Sequence, residues 1–267
     1  MRYQEYAPGP RLARWVHRFW VLEGTGPAVD AILPDGRMEM VLHFGEPFRG
    51  QPRSFLVGQQ RRAVEVAPAG RVGVIGVRFR PGGARAFLGF PQHEATDRMI
   101  PLGAIWGVAE LEEQVAEGRS DAERVAPVEG FLLGRLRERW TPPAAVEAAV
   151  ARIFASRGSL TVEDLAAGRP RQLGESFRQI VGVSPKLLSR LVRFQEVLRR
   201  LATAEGRRWV WTALECGYYD QAHLIRDFRE FAGQSPAVYA AGRHPLGDCF
   251  VDGSDFSNTG GSGSATL

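Results

Sequence analysis

The chain has 267 residues, 44% of them apolar and 24% charged, with a net charge of +4, a composition that suits one large or two ordinary packed domains. No apolar run approaches the ~20 residues that span a bilayer, and the two cysteines, Cys216 and Cys249, make no metal-binding or redox motif. The charge is uneven: residues 141–244 carry fifteen Lys and Arg against ten Asp and Glu, whereas 245–267 carry three Asp and no base.

The first part of the chain reads as short strands. Trp15 to Leu22 is aromatic and β-branched. Ala28 to Leu33 runs into the turn Leu33-Pro34-Asp35-Gly36, and Met38 to Phe44 follows, so these two runs are placed to form a hairpin. Phe55 to Val57, Ala63 to Val66 and Val72 to Phe79 continue the pattern between Pro and Gly. Pro81-Gly82-Gly83 then opens a helix-like segment ending near Phe90-Pro91, and Ala109 to Glu117 and Val128 to Trp140 read as helices. Residues 1–140 are therefore expected to form an α+β domain. Trp15, Phe19, Trp20, His43, Phe44, Arg78 and Phe79 either line a ligand pocket in it or form its core and rim.

Thr141-Pro142-Pro143 is expected to be a domain boundary. From Ala144 to Gly242 only helical periodicity remains, so an all-α domain is expected over 144–242. Residues 243–267, rich in Gly, Ser, Asp and Thr, are expected to be a disordered tail.

The helical part contains a repeat. Phe177-Arg178-Gln179-Ile180-Val181-Gly182-Val183-Ser184-Pro185 matches Phe228-Arg229-Glu230-Phe231-Ala232-Gly233-Gln234-Ser235-Pro236, and Leu173 matches Leu224 at the same offset. Gly182 and Gly233 stand where a helix stops in a left-handed cap. Ser184 and Ser235 are suited to cap the next helix, with Pro185 and Pro236 at its first position. Before the second copy, Trp209 to Cys216 is a short helix, Gly217-Tyr218-Tyr219 a turn, and Asp220 an N-cap for a helix over Gln221 to Ala232. Helix, tight turn with Gly, helix is a helix-turn-helix, whose second helix enters the major groove of DNA. Its outer face is Gln221, Ala222, His223, Ile225 and Arg226; Leu224, Phe228 and Phe231 face inward.

The stretch ALECGYYDQAHLIRDFREFAGQSP resembles the second helix-turn-helix of AraC/XylS-family transcription regulators, and TVEDLAAGRPRQLGESFRQIVGVSPKLLSRLVRFQEVLRRL resembles their first unit and linking helix. LPDG at 33–36, VGQQ at 57–60, GVRFRPGG at 76–83 and TDRMIPL at 96–102 resemble an uncharacterised N-terminal domain found fused to AraC-type DNA-binding domains. The resemblance implies a sequence-specific, ligand-responsive DNA-binding regulator in the bacterial cytoplasm. Its partners are double-stranded DNA and an unknown small-molecule effector, with RNA polymerase and a second copy of the chain allowed and no membrane. The opening MRYQEYAPGP, which lacks an apolar signal core, fits that location.

The residues expected on DNA are Gln221, Ala222, His223 and Arg226 in the second unit, Arg171 in the first, and Arg207 and Arg208 ahead of the second unit as backbone-positioning contacts. Each has a bland alternative as solvated surface. Tyr218 is expected in the core, and Arg190, Arg193, Arg199 and Arg200 on the linking helix are expected to be solvated. The first unit departs from the family pattern. Ala166 to Leu173 spans seven positions where Ala213 to Leu224 spans eleven, and by position Arg171, Gly174 and Glu175 would face the bases. It is expected to read DNA weakly or to serve as a brace. If the shortening abolishes specific binding, the chain is an interaction protein instead. No Ser-His-Asp spacing, phosphate loop, metal cluster or credible carboxylate pair is present, so no catalysis and no cofactor are expected.

Overall fold

A computed structural model describes residues 1–26, 29–166, 168–201, 213–242 and 244. The strands are β1 (Arg2–Tyr6), β2 (Val16–Thr25), β3 (Asp30–Ile32), β4 (Glu39–His43), β5 (Ser54–Val57), β6 (Val64–Val66), β7 (Arg71–Phe79) and β8 (Met99–Pro101). Six of them form an antiparallel sheet in the order β1-β2-β7-β4-β5-β8, and β3 pairs with β6 alone. One sheet face buries Phe19, Met40, Ile75 and Phe79 under α1 (Ala109–Glu117) and α2 (Asp121–Leu133). The other face buries Trp20, Val41, Phe55 and Val74, together with Val66 of β6.

The expected hairpin does not form. β3 pairs with β6, while β4 pairs with β5 and β7, so the Leu33–Gly36 turn is free to leave the sheet. Two short 3-10 turns, Gly83–Ala86 and Gln92–Ala95, replace the helix expected after Pro81. The helix expected from Val128 starts earlier. Ser120 caps α2 by accepting from the Glu123 amide, and the helix runs through Pro127.

The helical part comprises α3 (Ala144–Ala155), α4 (Val162–Leu165), α5 (Pro170–Val181), α6 (Pro185–Leu201), a helical stretch α7 described at 213–215, α8 (Gln221–Ala232) and α9 (Pro236–Ala241). It has two cores. One gathers Ile153, Leu173, Phe177 and Leu188 from α3, α5 and α6. The other gathers Phe194, Tyr218, Leu224, Phe228 and Phe231 around α6 and α8. The expected tail lies outside the described residues except for His244, whose ring stacks on Tyr239 with centroids 4.0 Å apart.

The two parts are joined by the Leu33–Gly36 turn. Leu33 is buried in the core formed by Leu191, Phe194 and Phe231. Gln195 Nε2 donates to the Pro34 carbonyl (2.9 Å). Gly36 takes φ +78°, which favours glycine, and a Cβ there would lie 2.6 Å from Leu188 Cδ1 and push the end of that side chain aside. Truncating Leu33 removes a side chain that fills the second helical core. Leu33→Ala should cost about 2–3 kcal/mol. Amide hydrogen exchange should speed up in α6 and α8 while β2 and β7 keep their protection. Equal loss of protection in the strands would show that the turn does not anchor the helical part specifically.

Candidate nucleic-acid interface

The second helix-turn-helix is assembled as its sequence dictates. Gly217 turns at φ +78°, and the Tyr218 amide donates to the Ala213 carbonyl (2.9 Å). The Asp220 carboxylate accepts from the His223 amide (2.6 Å), capping α8, and Gly233 ends it in the left-handed region at φ +72°. Leu224, Phe228 and Phe231 are buried. Phe194 of α6 meets the rings of Phe228 and Phe231 at 5.2 and 5.3 Å. Tyr218 is core, as expected, with its phenol pushed up by burial.

Of the residues expected on DNA, Gln221, Ala222 and Arg226 lie together on the exposed side of α8. His223 is half-buried, its ring edge-on to Tyr218 at 5.1 Å and its Nε2 4.0 Å from Asp227. Ile225 is also only half-exposed and packs toward the core. Arg171 is on the first unit, 94% exposed, with its guanidinium 3.5 Å from Glu175. Arg207 and Arg208 lie outside the described residues.

The repeat held a further signal. Arg178 and Arg229 occupy matching positions, and both are exposed, on α5 and α8. Tyr219, 87% exposed in the turn before α8, had no signal beyond its place in the turn. Lys186, the one lysine of the chain, is exposed in the first turn of α6.

The arginines of the linking helix are not free solvated charges. Arg190 binds Asp227 (2.7 Å) and Glu230 (2.5 Å) and covers the Phe231 ring, fastening α8 to α6. Burial works against its charge, but hydrogen bonds to Glu230 and Asp227 outweigh that and raise its pKa. Arg193 donates to the Gly158 carbonyl and stacks on Tyr218. Arg199 and Arg200 both donate to Glu196. Cys216 is buried beside them, its thiol pushed up to about 11 by burial, which leaves it protonated and unreactive near neutrality.

The first unit is compact. Thr161 and Asp164 form a reciprocal capping box on α4. Gly168 turns at φ +80°, and Pro170 stands in the first turn of α5. α5 ends in the left-handed Gly182 (φ +98°), and Ser184 accepts from the Leu187 amide at the start of α6.

The N-terminal part grips both units from behind. Thr96 Oγ1 donates to the Gly182 carbonyl (2.7 Å), and Gly82 lies against Ile180, so α5 is held at its C-terminal end. The Ala63 amide donates to the Phe231 carbonyl (2.7 Å), holding α8 at the same end. Gln59 Nε2 donates to the Gly36 carbonyl (2.8 Å) beneath these contacts. The N-terminal ends of α5 and α8, bearing Arg171, Gln221 and Ala222, stay exposed. The four stretches 33–36, 57–60, 76–83 and 96–102 thus each place residues at this junction.

Residues 164–242 match the family of helix-turn-helix domains, and residues 4–101 match a family described as a domain of unknown function (DUF6597). Residues 164–242 thus carry a helix-turn-helix domain. A sheet-rich N-terminal part precedes this helical one. No curated protein matches it. Among solved structures it is similar to ToxT from Vibrio cholerae, at 11% identity and a TM-score of 0.44 over 90% of this chain and 98% of that one. A second ToxT structure, bound to (E)-4-(8-methylnaphthalen-1-yl)but-3-enoic acid, gives 11% identity and a TM-score of 0.46 over 90% and 99%. Among the described residues no helix is long and apolar enough to cross a membrane, and no cluster of His, Cys, Asp and Glu is placed to hold a metal.

The Arg190 clamp gives the helical part a testable weak point. Arg190→Ala leaves the Asp227 carboxylate, 4% exposed, without its main partner. It should cost about 2–3 kcal/mol in chemical denaturation. Arg190→Lys should restore only part of that, because an ammonium cannot fork between two carboxylates. A full rescue by Lys would show that point charge, and not the planar fork, holds α8.

Proposed function

We propose that this chain is a DNA-binding transcription regulator that reads DNA sequence mainly through α8, with α5 acting chiefly as a brace, and that a small-molecule effector acts through the N-terminal part. The division proposed is residues 1–140 for sensing or pairing of subunits and 144–242 for DNA, in the cytoplasm. The supporting observation is the arrangement of the two reading helices: their N-terminal ends are exposed and their C-terminal ends are bonded to the N-terminal part. An N-terminal part so placed does not cover the reading surface. It acts by fixing where the two units sit relative to each other, and an effector acts by favouring one placement over another. Gln221, Ala222, Arg226 and the half-buried His223 supply the base-reading set, while Arg171, Arg207 and Arg208 contribute charge toward the backbone. RNA polymerase and a second copy of the chain belong to the same proposal. The regulator reading leaves no role for catalysis.

The Arg171–Glu175 contact favours one rival. It cancels charge on the first unit and fits an interaction protein that has lost specific DNA binding. Selection of genomic fragments with the full chain at near-physiological salt separates the two. A short enriched motif is expected, and Arg226→Ala should cost about 1–3 kcal/mol and relax one position of it. Absence of any motif, with affinity insensitive to salt, would favour the interaction protein. Glu175→Arg frees Arg171 and adds a cation. It should raise affinity for all sequences and steepen the salt dependence by about one counterion. Unchanged binding would remove the brace argument.

A further inference from the structure

A cavity of about 430 Å³ lies between the two parts of the chain. Its apolar walls are Trp15 from the N-terminal part, Val146, Val150 and Phe154 from α3, and Ile180 from α5. Its rim carries three guanidiniums, Arg14, Arg37 and Arg80, against the single carboxylate Glu147; His17, whose Nδ1 accepts from Arg18 Nε (3.0 Å), also lines it. Glu147 is already matched by Arg14 at 3.0 Å, and Arg37 lies 3.7 Å from Asp35 just behind the wall. Arg80 uses its Nε on the Ala13 carbonyl (2.8 Å), which orients the guanidinium at the rim. The volume is in the range of pockets that hold small organic molecules, and an apolar body with a few convergent polar groups is their usual lining.

We propose that this cavity binds a small organic monoanion with an aromatic or aliphatic body, its anionic group at the arginine rim and its body between Trp15 and Phe154. The charge decides the sign of the ligand. Three guanidiniums against Glu147 and Asp35 leave one positive charge, which an anion neutralises and a cation would oppose. The site is made by both parts of the chain, unlike the interior of the sheet, where Trp20, Phe55 and Val74 fill the space. A ligand there touches Arg80–Gly83 on one side and α3 and α5 on the other, so it bears on the contact between Gly82 and Ile180. Occupancy therefore favours the joined arrangement, and by linkage DNA and ligand must change each other's affinity by the same factor.

The inference rests on the regulator reading for its consequence, yet its test is read without DNA, so the two fail separately. The probe is 8-anilinonaphthalene-1-sulfonate, titrated by fluorescence into the full chain. A single saturable site is expected. Val150→Trp, which fills the cavity, should abolish it. Arg80→Gln, at an exposed position that leaves the core intact, should weaken it about tenfold. The uncharged N-phenyl-1-naphthylamine should bind more weakly than the sulfonate. If Arg80→Gln leaves the affinity unchanged, or the uncharged probe binds as tightly as the sulfonate, the cavity is not an anion site. Unchanged binding in a folded Val150→Trp protein would place the probe elsewhere and overturn the proposal.

Discussion

Two backbone hydrogen-bond acceptors at the ends of two helices govern the arrangement of this protein. The carbonyls of Gly182 and Phe231 belong to the last turns of α5 and α8, where a helix leaves acceptors unsatisfied. Here the N-terminal part supplies the donors, Thr96 Oγ1 and the Ala63 amide. A helix end satisfied by another domain cannot tilt without breaking that bond or leaving a buried carbonyl unpaired. The pose of α5 and of α8 is thus set partly from the N-terminal part of the chain.

Apolar and ionic contacts support those bonds. Leu33 enters the helical core, and the turn that carries it is tethered below by charge. Asp35 accepts from the Arg37 amide (2.9 Å) and lies 3.6 Å from Arg78, which is 1% exposed and bonded to Glu39 at 2.7 Å. Burial pushes the Glu39 carboxyl up, and the Arg78 guanidinium pulls against it. The turn is therefore continuous with the sheet on one side, through Arg78 of β7, and with α6 on the other, through Gln195. A shift in either part has a short physical route to the other.

What was legible in the sequence was local chemistry. The caps at Asp220, Ser184 and Ser235, the left-handed glycines and the buried Leu–Phe pairs each follow from residues within one or two turns, and the repeat supplied all but the Asp220 cap twice. Six of the eight strands were visible as β-branched runs. β1 and β8 were not, being short and carrying few β-branched residues. Pairing was not legible, because β3 and β6 meet across more than thirty residues of chain. The same distance hid Arg190: nothing near it in sequence announces Asp227 and Glu230 as its partners. The outer face of α8 was read correctly at Gln221, Ala222 and Arg226. His223 is half-buried instead, its ring edge-on to Tyr218.

The separation of gripped ends from open ends bears on how such a protein changes over generations. Gln221, Ala222 and Arg226 stand apart from the bonds that hold α8 in place. Side chains there can be exchanged with little penalty to folding, whereas Gly36, Leu33 and Arg190 cannot. The proposed base-reading set is in this sense decoupled from architecture. On the proposed function, exchanging those exposed side chains would alter what α8 reads and leave the junction that holds the helix untouched.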